Sequence, residues 1–224
     1  EVVHNDFISN VSHELKTPIS ILRSYAMAMR NENLDPAVRS RYAQVLVSAS
    51  DRLSALVTNI LKLNKLENQE LSPQYETIRL DEMLAQSLLQ FEEKIDEKGL
   101  ELDCDLKEVY VKSDPNFLEI VWNNLISNAV KFTETGGKIK VTLGAENGQA
   151  VVKISDTGCG ISCETGMHIF DKFYQGETSH AQEGNGLGLA LVKKVIDILG
   201  GEISVESEEG KGSVFMVKLQ GVTA

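Results

Sequence analysis

Cysteine is scarce in this chain, positive charge is outnumbered, and long apolar runs are missing. Three cysteines, Cys104, Cys159 and Cys163, are an odd and sparse set. They exclude a disulfide framework and fit a reducing compartment. Cys159, Cys163 and His168 are one ligand short of a structural zinc site. Lysine and arginine total 22 against 33 acidic residues, a formal net charge of −11. That balance argues against nucleic acid as a partner, which needs a basic face. It argues equally against direct contact with an acidic membrane surface. No run is long and apolar enough to span a bilayer, and no signal peptide is visible. There is no GxxxxGK[ST] run, so a P-loop is excluded. The opening Glu1 in place of Met is compatible with a fragment of a longer chain.

What is present is ordinary for a globular protein: 42% hydrophobic and 25% charged residues over 224 positions. That length holds one large domain or two small ones. The first part reads as helix only. Ile8, Ser12, Leu15, Ile19, Leu22, Ala26 and Met29 recur in steps of four and three, the seam of a helix from about residue 5 to 30. Asn31-Glu32-Asn33-Leu34 breaks it. Asp35-Pro36 then reads as an N-cap with proline at the first helical position. The second helix runs to Glu67 with Val38, Tyr42, Val45, Ala49, Leu53, Leu56, Ile60 and Leu63 on its stripe, and spans roughly 45 Å at 1.5 Å per residue. One antiparallel hairpin buries two such stripes poorly, whereas two copies make a four-helix bundle. A homodimer through residues 5–67 is therefore expected.

His13 lies one position past the seam, on the shoulder of the stripe. Glu14 can orient its imidazole, which leaves one ring nitrogen as a nucleophile. Pro18 removes a backbone donor, so the Glu14 carbonyl loses its helical partner and a bend is expected. A lone His beside an apolar stripe is ordinarily a packed structural residue, and a reactive one needs a phosphoryl or acyl donor.

Residues 68–77 are polar and aperiodic and read as a linker between residues 1–67 and residues 78–224. The second part is mixed. Helices are expected over 80–98, closed by Gly99, from Asp114-Pro115 to Phe132, and over 187–199. Strands are expected at 100–106, 109–112, 139–143, 150–155, 203–206 and 213–219, with Asn147-Gly148 as a hairpin turn. This order indicates an α+β sandwich, a mixed sheet with helices on one face.

Three elements of that part suit a nucleotide. Asn124, Asn128 and Lys131 fall on one helix stripe and offer oxygen ligands for Mg²⁺ and a cation for phosphates. Asp156, at a strand end before Gly158 and Gly160, can accept from an exocyclic amine such as that of adenine, with glycines allowing close backbone approach. Gly184, Gly186, Leu187, Gly188 and Leu189 open a helix whose N–H groups can face an anion. No strand precedes that run, so it is not a Rossmann fingerprint. The connection between the second and third elements is long enough for a functional lid and contains Phe170-Asp171-Lys172-Phe173-Tyr174.

The run His13-Glu14-Leu15-Lys16-Thr17-Pro18 closely resembles the phosphoacceptor box of bacterial sensor histidine kinases. Residues 124–129, 156–161, 170–173 and 184–189 resemble, in the expected order, the N, G1, F and G2 boxes of that family's ATP-binding domain. The resemblance covers essentially the whole chain. It implies a dimeric four-helix bundle followed by a Bergerat-type (GHKL) ATPase fold, with ATP and Mg²⁺ as cofactors. By it His13 is phosphorylated with Glu14 as base, and Thr17 orients water for dephosphorylating a response regulator. Asn128 is the principal Mg²⁺ ligand with Asn124 near it. Lys131 and Phe132 contact the nucleotide, Asp156 reads adenine, and the G2 glycines hold the phosphates. The expected partner is a response regulator receiver domain on a separate chain. The expected location is a cytoplasmic portion, compatible with a parent anchored in the bacterial cell membrane. One departure stands out: Gln175 follows Phe173-Tyr174 where many relatives carry an Arg, which leaves Lys172, Lys131 or the second subunit to supply that charge. Two other classes compete, a GHKL-type ATPase clamp and a non-catalytic signalling scaffold. Asn124 stands where the clamps use a Glu base.

Overall fold

The computed structural model describes residues 2–174 and 186–223. Two long helices come first, α1 (Val2–Ala28) and α2 (Pro36–Glu67). Asp35 caps α2 as expected: its carboxylate accepts from the backbone N–H of Ala37 at 2.8 Å, ahead of Pro36 at the first turn. The hairpin is pinned at its tip by Arg39, which donates to the carbonyls of Met29 and Asn31. Tyr25 and Tyr42 meet edge to face across it.

The predicted stripe of α2 faces inward along its length, with Ala49, Leu56 and Leu63 buried. The predicted seam of α1 divides. Leu15, Leu22 and Met29 are half-buried, in line with Phe7, Val11 and Tyr25, while Ile8, Ser12, Ile19 and Ala26 are exposed. One neighbour covers one face of a helix, so within this chain the other half of the seam is left uncovered. Helix α1 continues through Pro18, which is itself buried.

The rest is built on two sheets where one was expected. A three-stranded antiparallel sheet joins β1 (Glu76–Arg79), β3 (Tyr110–Ser113) and β8 (Val222–Thr223) in the order β1-β3-β8. The larger sheet has the order β2-β4-β5-β7-β6, from β2 (Glu101–Leu106), β4 (Lys138–Glu146), β5 (Gln149–Asp156), β6 (Glu202–Glu208) and β7 (Gly212–Leu219). Only its β2–β4 pair is parallel. Strand β1 begins inside the stretch read as linker, at Glu76 and Thr77. Too few of its residues are apolar to show alternation.

The expected helix over 80–98 is two, α3 (Leu80–Leu89) and α4 (Glu92–Glu97). Neither Pro nor Gly stands at the break, so periodicity runs through it. Helix α5 (Pro115–Phe132) and helix α7 (Gly188–Ile198) complete the helical layer, with a short α6 (Cys163–His168) that the sequence did not signal. One sheet face, including Ile139, Val141, Leu143, Val152, Ile154 and Val217, is buried under these helices. Lys140, Thr142, Lys153 and Lys218 point away. Trp122 and Leu125 of α5 lie in the same core.

Asp114 caps α5, accepting from Asn116 and Phe117 N–H at 2.8 and 3.0 Å, and its second oxygen accepts from Gln74 N–H at 2.6 Å. Asp114→Ala is expected to lower stability by about 1–2 kcal/mol, measured by denaturant unfolding; a loss within error of zero would show that the cap is dispensable.

Candidate phosphoacceptor and nucleotide site

His13 stands exposed on α1, with Glu14 half-buried beside it and Thr17 exposed one turn on. Ser12 turns its hydroxyl back to the Ile8 carbonyl at 2.9 Å, so it does not compete for the imidazole.

The residues expected to bind a nucleotide gather around α5. Asn124 donates its amide N–H to the Ile120 carbonyl at 2.7 Å, which fixes the amide and aims its oxygen toward α7. There Gly188 comes so close that a Cβ would sit 2.6 Å from Asn124 Oδ1. The G2 box thus opens α7 directly against the N box. Asn128, one turn further on, is half-buried with no side-chain hydrogen bond to another described residue. Lys131 lies with its ammonium 4.8 Å from the Phe132 ring centre. A cleft of about 430 Å³ opens at this helix end, lined by Lys98, Lys131, Phe132, Thr133, Glu134 and Thr135.

Asp156 ends β5, paired with Ile139 on one side and Ser213 on the other. Burial pushes its carboxyl above the usual carboxylate value, and N–H groups of Gly158 and Ser213 partly offset this. The Gly158 bond measures 2.9 Å. A half-buried carboxylate held by two donors at a strand end fits an acceptor for a ligand amine. The glycines here also pack closely on protein. A Cβ on Gly158 would meet the Phe132 carbonyl oxygen at 2.5 Å, and one on Gly160 the Glu208 carbonyl oxygen at 2.0 Å. Their close approaches, as far as these contacts go, are to protein backbone.

The F box reaches the G2 box through Phe173, whose N–H donates to the Gly186 carbonyl at 2.9 Å. Leu187 is buried and Leu189 is half-buried. Gly184 lies outside the described residues. Lys172 is turned away from the cleft: it pairs with Glu67 at the end of α2 and lies 5.2 Å from the Phe7 ring centre. Phe173 packs on the same ring at 5.5 Å between centres. Leu56, Leu63 and Leu66 of α2 join the core of the second domain. The hairpin and the second domain are therefore docked through α2 and the F box. No hydrogen bond, ion pair or ring contact among the described residues links His13 to the cleft.

Reasoning from sequence missed Ser213, which steadies Asp156, Glu67 and Phe7, which hold Lys172, and Lys98. Each acts across a long separation in the chain, and none belongs to a local pattern.

Residues 3–69 match the His Kinase A (phospho-acceptor) domain family. Residues 113–222 match the histidine kinase-, DNA gyrase B- and HSP90-like ATPase family. The chain belongs to the sensor histidine kinases. It is 34% identical over 218 residues to the sensor protein SrrB of Staphylococcus aureus (strain N315), covering 96% of this chain and 37% of SrrB. It thus spans about 37% of the length of that relative. Its fold matches histidine kinase ThkA, solved in complex with the response regulator protein TrrA, at a TM-score of 0.80, 25% identity, and 96% and 60% of the two chains. It also matches full-length ShkA in complex with AMPPNP at 0.72, 26% identity, and 98% and 46%.

Asp156 carries the test of this site. Because folding raises its pKa, the cost of its burial is absent below the unfolded value and grows as pH rises through the folded one. Asp156→Asn is expected to raise Tm at neutral pH, with the gain disappearing in acid, and to weaken a fluorescent ATP analogue about tenfold or more. An unchanged affinity would remove Asp156 from the site.

Proposed function

We propose that this chain is an ATP-dependent protein-histidine kinase that phosphorylates its own His13 and passes the phosphoryl group to an Asp of a separate response regulator. The observation that carries the reading is the meeting of three motifs on α5: the stripe of Asn124, Asn128 and Lys131, with Gly188 of α7 packed against Asn124 and Gly158, next to Asp156, packed against the Phe132 carbonyl, in a chain whose first helix exposes His13. The ShkA and ThkA complexes support a nucleotide and a regulator as ligands of such folds.

His13 attacks the γ-phosphorus through the ring nitrogen that Glu14 leaves unpaired. The new N–P bond replaces the bond to the bridging oxygen, ADP leaves, and Glu14 takes the imidazole proton. Asn128, whose side chain makes no hydrogen bond to another described residue, and Asn124 fit as ligands for Mg²⁺, which when bound would neutralise charge on the phosphate oxygens. Asp156 fits as the acceptor for the base amine, and the N–H groups that open α7 fit as donors to phosphates. Thr17 orients a water for the reverse task, hydrolysis of the regulator's phosphoaspartate.

The hairpin supports dimerisation. Ile8, Ile19 and Met27 of α1 and Val47, Val57 and Leu61 of α2 are all exposed, Met27 at 56% and Val47 at 57%. A second copy that covers both helices would bury them in a four-helix bundle through residues 5–67. No helix among the described residues is long and apolar enough to cross a membrane. A cytoplasmic portion of a membrane-anchored parent suits this reading.

In the docked arrangement Lys172 is committed to Glu67 and Phe7, so transfer to His13 needs the nucleotide domain to leave this seat. The exposed residues 68–72, without regular structure, give it a hinge.

Incubation with γ-labelled ATP tests the assignment: wild type is expected to take up acid-labile label and His13→Ala none, and equal labelling of the two would reject it. A half-exposed ion pair is worth less than about 1 kcal/mol, so Glu67→Gln is expected to raise the initial rate of labelling by up to about fivefold. A rate that is unchanged or lowered would show that the Lys172–Glu67 seat does not hold the kinase back.

A further inference from the structure

The C-terminal end of α5 is closed by a side chain from a distant part of the domain. Lys98, at the end of α4, donates its ammonium to the carbonyls of Val130 at 2.7 Å, Lys131 at 3.0 Å and Thr133 at 2.7 Å. These are carbonyls that a helix end leaves without intrahelical partners. The carbonyl of Ala129 is taken by Thr133, through both its N–H at 3.1 Å and its hydroxyl at 2.6 Å. The Phe132 carbonyl lies against Gly158. Of the five carbonyls from residue 129 to 133, those of 129, 130, 131 and 133 accept hydrogen bonds and that of 132 packs on Gly158. Three of the five are held by one ammonium, which uses all its donors.

Lys98 also ties down the turn after α5. Gly136 N–H donates to the Lys98 carbonyl at 2.9 Å. Gly137, next in line, is packed so that a Cβ would meet the side chains of Thr133 at 2.4 Å and Thr157 at 3.0 Å. Thr157 in turn exchanges hydrogen bonds with the backbone of Lys138. The turn from α5 into β4 is thus wedged between Lys98 and the strand end that carries Asp156. Lys131 and Phe132 leave the backbone inside this wedge, and Lys98 itself lines the cleft beside them.

We infer that Lys98 is a positioning residue for the nucleotide: its ammonium sets the backbone at residues 130–133, and so places Lys131 and Phe132 in the cleft and the Phe132 carbonyl against Gly158. A cap of stability alone would lower Tm and leave affinity untouched. A positioning cap must change how tightly the cleft holds its ligand.

The inference rests on the reading of the cleft as a nucleotide site, and the test separates the two. The intact chain is titrated with a fluorescent ATP analogue in Mg²⁺, and each variant is also melted. Lys98→Met is expected to raise Kd about tenfold or more, and Lys98→Gln, which keeps part of the donor set, about threefold or more. Lys98→Arg, which keeps charge and several donors, should bind within about twofold of wild type. Asp114→Ala, which uncaps the opposite end of the same helix, should lower Tm with Kd within about twofold of wild type. Lys98→Gln decides the matter if Lys98→Met does not fold. A folded Met or Gln variant that binds like wild type, whatever its Tm, would overturn the positioning role. A wild type that binds no analogue would overturn the nucleotide reading instead.

Discussion

Close backbone approach to α5 is the constraint on which the nucleotide half of the molecule depends. The G2 box meets Asn124 at Gly188, and the G1 box meets the Phe132 carbonyl at Gly158. Either contact fails if a Cβ is present, because the neighbouring atom would lie inside van der Waals distance. The helix must also end at a fixed place for the G1 loop to find it, and Lys98 at its finish supplies that definition. Motifs far apart in the chain thus meet on a single helix. Its stripe of Asn124, Asn128 and Lys131 is left polar while Trp122 and Leu125 anchor the other side in the core.

Much of this was legible in the sequence, for physical reasons. The long helices declared themselves through spacing and through Asp35-Pro36 and Asp114-Pro115, which are local cap signals. The hairpin over Asn147-Gly148 and the strand end at Asp156 were equally local. What was hidden depends on non-local pairing. Strands β1 and β8 are short, and each exists only because β3 lies beside it. The division of the α1 seam could not be read, because periodicity shows that a face is apolar and not which neighbour covers it. Gly158 and Gly160 were recognised as close-approach positions, but the atoms they approach belong to α5 and β6, visible only in three dimensions. Lys98 is a single lysine before a glycine, and its three acceptors lie more than thirty positions on.

The buried charge at Asp156 and the docked position of Lys172 share a logic. A carboxylate whose burial raises its pKa is a stability cost that a ligand amine can offset. A lysine of the F box is seated on Glu67 and Phe7, which on the proposed function withholds it from the nucleotide. In both places the fold holds a group in a state that the ligand or the partner helix would change. On the proposed function, the two halves of the chain act as one reaction centre only when the second domain shifts toward His13.

That shift can be observed on the imidazole itself. With histidine isotopically labelled and the His13 ring signals assigned through His13→Ala, Mn²⁺ in place of Mg²⁺ is added with a non-hydrolysable ATP analogue. Paramagnetic broadening falls off steeply with distance. The account predicts that the His13 signals broaden when metal and analogue are both present, and that Asn128→Ala abolishes the effect. His13 signals that stay sharp at saturating metal and analogue would contradict it.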